Sequence, residues 1–246
     1  ALITYYKENF CKLDRAMRRL YSTYLQEKEL MLPFQEHYQS LLTSFLDKWY
    51  SLFKAEYSTN QSSFLCETFK NSSSEKTAII VGDGISFEMA LNIADKLEKR
   101  NITSDKDYLL ADFPSNTENN MSRLYLSSGL LEPVQSKREA ALKEEIKKKI
   151  RFIPLETFTE HLADTDFLVC TFGDLDSLGE KLQLKALKYL DTIESQLIDK
   201  IELLLKAGFN KVILTADHGF ILSGILTDAD KIEIPVSGTA EKHERY

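Results

Sequence analysis

The chain predicts an α/β fold: a doubly wound, mainly parallel sheet with a helical appendage at its amino-terminal end. Three observations carry this. Short apolar runs stop at glycine or polar residues, amphipathic helical patterns alternate with them over 75–246, and residues 1–74 show helical periodicity with no strand-like run.

The first run, Thr77-Ala78-Ile79-Ile80-Val81, ends in Gly82-Asp83-Gly84 and reads as a buried parallel strand. The helix after it places Phe87, Ala90, Leu91, Ile93, Ala94 and Leu97 on one face, with Lys96, Lys99 and Arg100 near its end. In open α/β sheets ligands sit outside the carboxyl ends of the strands. Asp83 stands at such an end, between glycines that let the chain turn sharply.

Before this strand, Leu13, Met17, Leu20, Tyr21 and Tyr24 recur at helical steps, and Leu42, Phe45, Leu46, Trp49 and Phe53 repeat the pattern after Pro33. His37, alone in this part, reads as a surface or packing residue. The polar stretch Asn71-Ser72-Ser73-Ser74 predicts a linker between a helical region, 1–74, and an α/β domain, 75–246.

A second strand is expected at Tyr108-Leu109-Leu110-Ala111, running out into Asp112-Phe113-Pro114-Ser115-Asn116-Thr117, where Pro114 forces an extended turn. Residues 119–165 read as a partly helical excursion. Lys147, Lys148, Lys149 and Arg151 in it form a basic cluster that reads as a solvated face, with a polyanion contact as the alternative. Asp166 to Phe172 is the third expected strand, leading into Gly173-Asp174-Leu175-Asp176-Ser177-Leu178-Gly179-Glu180. A long helix from about 182 to 207 then ends at Gly208. Its Leu187, Leu190, Ile193, Leu197, Ile201, Leu204 and Leu205 are core positions. Lys211 to Thr215 is the fourth strand, ending in Ala216-Asp217-His218-Gly219.

The composition is that of a globular chain: 246 residues, 43% hydrophobic and 28% charged. A formal net charge of −7 argues against a mainly electrostatic nucleic-acid binder. Cys11, Cys66 and Cys170 have neither pairing logic nor metal-ligand spacing, which suits a reducing, cytoplasmic setting. No apolar run is long enough to span a membrane. The closing His243-Glu244-Arg245-Tyr246 reads as interior sequence, so a longer parent protein is expected.

Asp83, Thr117, Asp176 with Glu180, and Asp217 with His218 all follow expected strands. Parallel strands gather their carboxyl ends on one edge, so these groups can converge. Clustered carboxylates repel one another unless a cation neutralises them, and carboxylates with imidazole suit zinc or manganese. The spacing of Asp176 and Glu180 puts two ligands one helical turn apart.

Gly82-Asp83-Gly84, Pro114-Ser115-Asn116-Thr117, Asp176-x-x-Gly179-Glu180 and Asp217-His218-Gly219, in this order, resemble the alkaline phosphatase superfamily. Within it, the short domain and the closing His243-Glu244-Arg245-Tyr246 resemble the PglZ domain of bacterial BREX phage-defence systems. Leu13-Asp14-Arg15 and Trp49 resemble the region preceding such domains. The resemblance implies an alkaline-phosphatase-like fold and two divalent ions, zinc foremost, with manganese or magnesium as alternatives. Asp83, Asp217 and His218 would hold one ion, with Thr117 as the nucleophile coordinated to it. Asp176, Glu180 and His243 would hold the other. Glu180 stands where most of the superfamily has histidine, which makes that site harder. Asn120 and Arg123 are the nearest candidates to grip a phosphate.

The implied activity is that of a metal-dependent phosphohydrolase, a phosphodiesterase before a monoesterase, acting on a phosphodiester or nucleotide. Other subunits of a defence complex are the expected partners, and no membrane is. The alternative is a scaffold subunit of a defence or signalling assembly with little or no catalysis.

Overall fold

The computed structural model describes residues 2–53, 57–72, 75–113 and 115–222, apart from the side chains of Lys28, Phe53, Asp174, Glu180, Gln183 and Leu184. Four strands, β1 (Thr77–Gly82), β2 (Ile150–Pro154), β3 (Phe167–Phe172) and β4 (Lys211–Ala216), form one sheet in the order β2-β3-β1-β4. Every pairing is parallel; Ile79 lies opposite Val169 on one side and Ile213 on the other. The helices are α1 (Leu2–Tyr5), α2 (Cys11–Tyr24), α3 (Lys28–Phe53), α4 (Phe64–Asn71), α5 (Phe87–Lys99), α6 (Thr117–Tyr125), α7 (Gln135–Ile146), α8 (Asp174–Leu182) and α9 (Leu190–Lys206). A π-helical stretch, Tyr6–Phe10, joins α1 to α2.

The alternation of side chains along a strand divides the interior into two cores. On one face, Ala78, Ile80, Leu168, Cys170 and Phe172 pack with Met89, Ile93 and Leu97 of α5 and Leu197, Ile201 and Leu204 of α9. Met17 and Tyr21 of α2 and Phe45 of α3 extend the same core, so the amino-terminal helices share it with the sheet. On the other face, Ile79, Val81, Phe167 and Val169 pack against Leu65 and Phe69 of α4, Leu124 and Tyr125 of α6, and Leu142 of α7. Each of the six residues of β1 is buried, which places this strand at the centre of both cores. Burying each of its Ile79, Ile80 and Val81 side chains contributes about 1.5–3 kcal/mol.

An ionic network ties α2 to the α/β layers. Arg18, buried, donates from Nε to Glu88 of α5 (2.8 Å) and from a terminal nitrogen to Glu194 of α9 (2.8 Å). Glu194 also accepts from Lys96 (2.6 Å) and Asn92, and Arg15 bridges Glu88 and Asp95 at 2.9 Å each.

Three elements differ from expectation. Residues 108–111 form no strand. Their backbone is met by side chains instead: Thr59 Oγ1 donates to the Leu110 carbonyl (2.7 Å), and the Leu110 N–H donates to Asn60 Oδ1. The sheet's remaining strand is β2, inside the segment read as a charged excursion. The expected helix from 182 begins with a 3-10 stretch, Gln183–Tyr189, before α9. Its core residues Leu187, Leu190, Ile193, Leu197, Ile201 and Leu204 are buried as their spacing requires. Lys147 to Arg151 lead into and open β2, at the amino edge of the sheet and so opposite the carboxyl ends. His37 is exposed. Among the described residues, no helix is long and apolar enough to cross a membrane.

Candidate metal centre

Three strand ends and one helix start build the site. After β1 the Asp83 N–H donates to the Phe172 carbonyl of β3 (2.9 Å), and after β4 the Asp217 N–H donates to the Gly82 carbonyl (3.2 Å). The ladders thus run one step past the sheet and fix both aspartates. Gly84 turns the chain at φ +80°, a conformation that favours glycine, and a Cβ there would stand 3.4 Å from Cβ of Asp176. Ser86 then caps α5, accepting from the Met89 N–H (3.3 Å). Asp176 lies in α8, directly after β3, and Thr117 opens α6.

Asp217 is fully buried. Its Oδ1 accepts from the N–H groups of His218 (2.8 Å) and Gly84 (3.2 Å). Its Oδ2 is buried with no hydrogen-bond partner among the described residues, 3.3 Å from His218 Nε2. Burial, then the nearby charge of Asp83, push the Asp217 carboxyl up to about 6 against the opposing pull of His218 and the two backbone donors.

His218 Nδ1 sits 2.9 Å from the Gly219 carbonyl. A carbonyl only accepts, so that nitrogen carries the proton, and in the neutral imidazole Nε2 presents its lone pair to the site. Nε2 lies 3.1 Å from Thr117 Oγ1 and 3.5 Å from Asp83 Oδ1. Asp83, Asp176 and His218 each offer one ligand atom, all within 4.8 Å of one another. A tetrahedral ion with bonds of about 2.1 Å sets its ligands about 3.4 Å apart. Closing these groups by at most about 1.4 Å would therefore complete a ligand set.

A divalent cation fits this donor set: two carboxylates, a fixed imidazole lone pair, and the buried Asp217 Oδ2 behind them. Asp83, Thr117, Asp176, Asp217 and His218, distant in sequence, meet at one edge. Asp176, grouped by resemblance with Glu180 and His243, stands beside Asp83 and His218. Glu180 lies four residues on in α8 with its side chain outside the described ones, and His243 lies outside the described residues.

Thr117 is not the cap of α6. That role belongs to Asn116, whose side chain accepts from the Asn119 N–H (3.0 Å). Asn120, buried one turn on, accepts from the Asp112 N–H (2.7 Å), while Arg123 donates to Asp112 (3.1 Å) and the Gly129 carbonyl (3.3 Å). Two clefts lie elsewhere. One of about 530 Å³ is lined by Phe64, Glu67, Thr68 and Ile213, and one of about 340 Å³ by Lys143, Lys149 and Arg151. Neither includes Thr117 or the acidic cluster, whose chemistry makes it the candidate site in preference to the clefts.

One residue here gave no signal in the sequence. Gln61, buried just before α4, donates from Nε2 to the carbonyls of Asp217 and Ala216 (3.4 Å to the latter). No spacing or strand end marks it. No family model matches this chain, and no curated protein matches it.

Proposed function

We propose that this protein is a metal-dependent phosphohydrolase, acting on phosphodiesters, in which Thr117 is the nucleophile. The observation that carries the reading is the 3.1 Å approach of Thr117 Oγ1 to His218 Nε2, at the edge where Asp83, Asp176 and Asp217 also meet. A helix cap explains a threonine at a helix start, but Asn116 already fills that role.

Asp83, Asp176 and His218, with Asp217, would hold the ion. A bound divalent ion neutralises the carboxylates and lowers the pKa of a hydroxyl held against it. The carboxylate-rich set suits manganese or magnesium as well as zinc. Thr117 Oγ1 bonds to phosphorus while the bond to the leaving alcohol oxygen breaks, and the hydroxyl proton leaves to solvent. Water then cleaves the phosphothreonine ester and restores the hydroxyl. The start of α6 favours an anionic group beside Thr117. Arg123, the nearest arginine along the chain, is engaged by Asp112 and Gly129, and a singly charged diester needs less cationic grip than a monoester.

The all-parallel sheet and the order of the strand-end motifs support an alkaline-phosphatase-like fold of the PglZ type, and with it a place in a phage-defence assembly. The test is hydrolysis of bis(4-nitrophenyl) phosphate by wild type, Thr117→Ala and Thr117→Ser, each loaded with manganese or zinc. Alanine is expected to abolish turnover and serine to keep part of it. Equal rates for wild type and alanine would end the nucleophile assignment, and no turnover by any of the three would favour the scaffold.

A further inference from the structure

Gln61 stands outside every element that supplies a ligand, yet it touches the backbone that carries two of them. Its Nε2 donates to the carbonyls of both Ala216 and Asp217, at the end of β4. Two carbonyls on one side fix the amide orientation, because a flipped amide would set its own oxygen against theirs. The other amide atom, Oε1, is then buried with no hydrogen-bond partner among the described residues. A methionine of similar volume would leave no such orphan, so packing alone does not explain a glutamine here.

The chain around Gln61 reaches the other half of the site as well. Thr59 Oγ1 and the Asn60 N–H donate to the Leu110 carbonyl (2.7 and 3.4 Å), and the Ser63 N–H donates to the Arg123 carbonyl (2.9 Å) at the end of α6. Gln61 is held within this strap, its N–H donating to Thr59 Oγ1 (3.1 Å) and its carbonyl accepting from the Phe64 N–H (3.1 Å). The strap therefore grips the segments leading into and out of Thr117, and through Gln61 it grips the turn that carries Asp217 and His218.

We infer that Gln61 is a positioning residue of the metal centre: its amide sets the turn at 216–218 so that Asp217 and His218 face Thr117. This rests on the reading of that edge as a metal site. The strap makes part of the helical region a working piece of the site, supplying no ligand but fixing where the ligands stand.

The test compares the full chain with Gln61→Met and Gln61→Glu. Both remove the donor at nearly constant volume, and methionine also removes the orphan acceptor. For Gln61→Met we expect manganese affinity to fall tenfold or more with unchanged stoichiometry, and the visible spectrum of the cobalt-loaded protein to shift. Its metal-free melting temperature should equal that of wild type or exceed it. A residue that only holds the fold would lose melting temperature and leave the cobalt spectrum unchanged. In metal-free protein, hydrogen exchange over 214–222 should quicken at least tenfold, with 77–82 and 190–206 unaffected. Wild-type affinity and cobalt spectrum in both variants would overturn the inference. Should wild type take up no manganese or cobalt, the metal reading falls by itself and exchange decides for Gln61. Loss of protection confined to 214–222 sustains its hold on the turn, and unchanged or global exchange removes it.

Discussion

At Asp217, one carboxylate oxygen takes two backbone donors while the other, also buried, takes none among the described residues. Its pKa is raised to about 6, above the unfolded value of about 3.9, so the neutral form favours the fold. The metal-free protein is therefore expected to lose stability as pH rises from about 4 through 6, by on the order of 2–3 kcal/mol. Asp217→Asn should flatten that dependence in urea titrations with a chelator present, and should abolish stabilisation by manganese. A pH dependence equal in wild type and variant would remove Asp217 as its source. The aspartates, Thr117 and His218 were legible because each follows a strand or opens a helix, positions that topology brings together. Gln61 was not, since nothing local in Thr59-Asn60-Gln61-Ser62 signals a contact 155 and 156 residues away.

Among the elements, α2 depends most on charge. Arg18→Ala would remove the buried cation that bridges Glu88 and Glu194, leaving them Arg15, Lys96 and Asn92, at a cost of about 3 kcal/mol. For a chain of this size that lowers the melting temperature by about 10 °C, measurable by calorimetry. Replacing Arg18, Glu88 and Glu194 together by Met, Leu and Leu should recover much of the loss, since the desolvation of the ions goes with them. A single-variant loss below about 1 kcal/mol would show that water reaches the network. The strands at β1, β3 and β4 were legible as apolar runs ended by turn residues. β2 was hidden because an edge strand of five residues, opening directly after Lys147-Lys148-Lys149 and holding Arg151, carries the charges that guard an edge, and these read as a solvated face. The run at 108–111 misled for the opposite reason: it is apolar enough for a strand, but Thr59 and Asn60 satisfy its backbone from their side chains.

For the whole molecule, an ion held at the proposed site would be linked to the fold. Manganese at a hundred times its dissociation constant should stabilise the native state by about 2.7 kcal/mol, raising the melting temperature by about 5–10 °C, reversibly with a chelator. The double variant Asp217→Ala, His218→Ala should show no such shift, and an unchanged metal stoichiometry in it would sink the assignment. The parallel, α/β character was readable from alternation alone, whereas the order β2-β3-β1-β4 was not, because pairing partners are chosen by packing across the whole sheet. The Arg18 network carries a consequence for biosynthesis. Arg18 meets Glu88 after 70 further residues and Glu194 only after 176. At about 5–20 residues per second, translation leaves α2 without its last partner for roughly 10–35 s. During that interval α2 also lacks the 3-10 stretch Gln183–Tyr189 that packs against it, so the nascent chain invites a chaperone until the carboxyl half emerges.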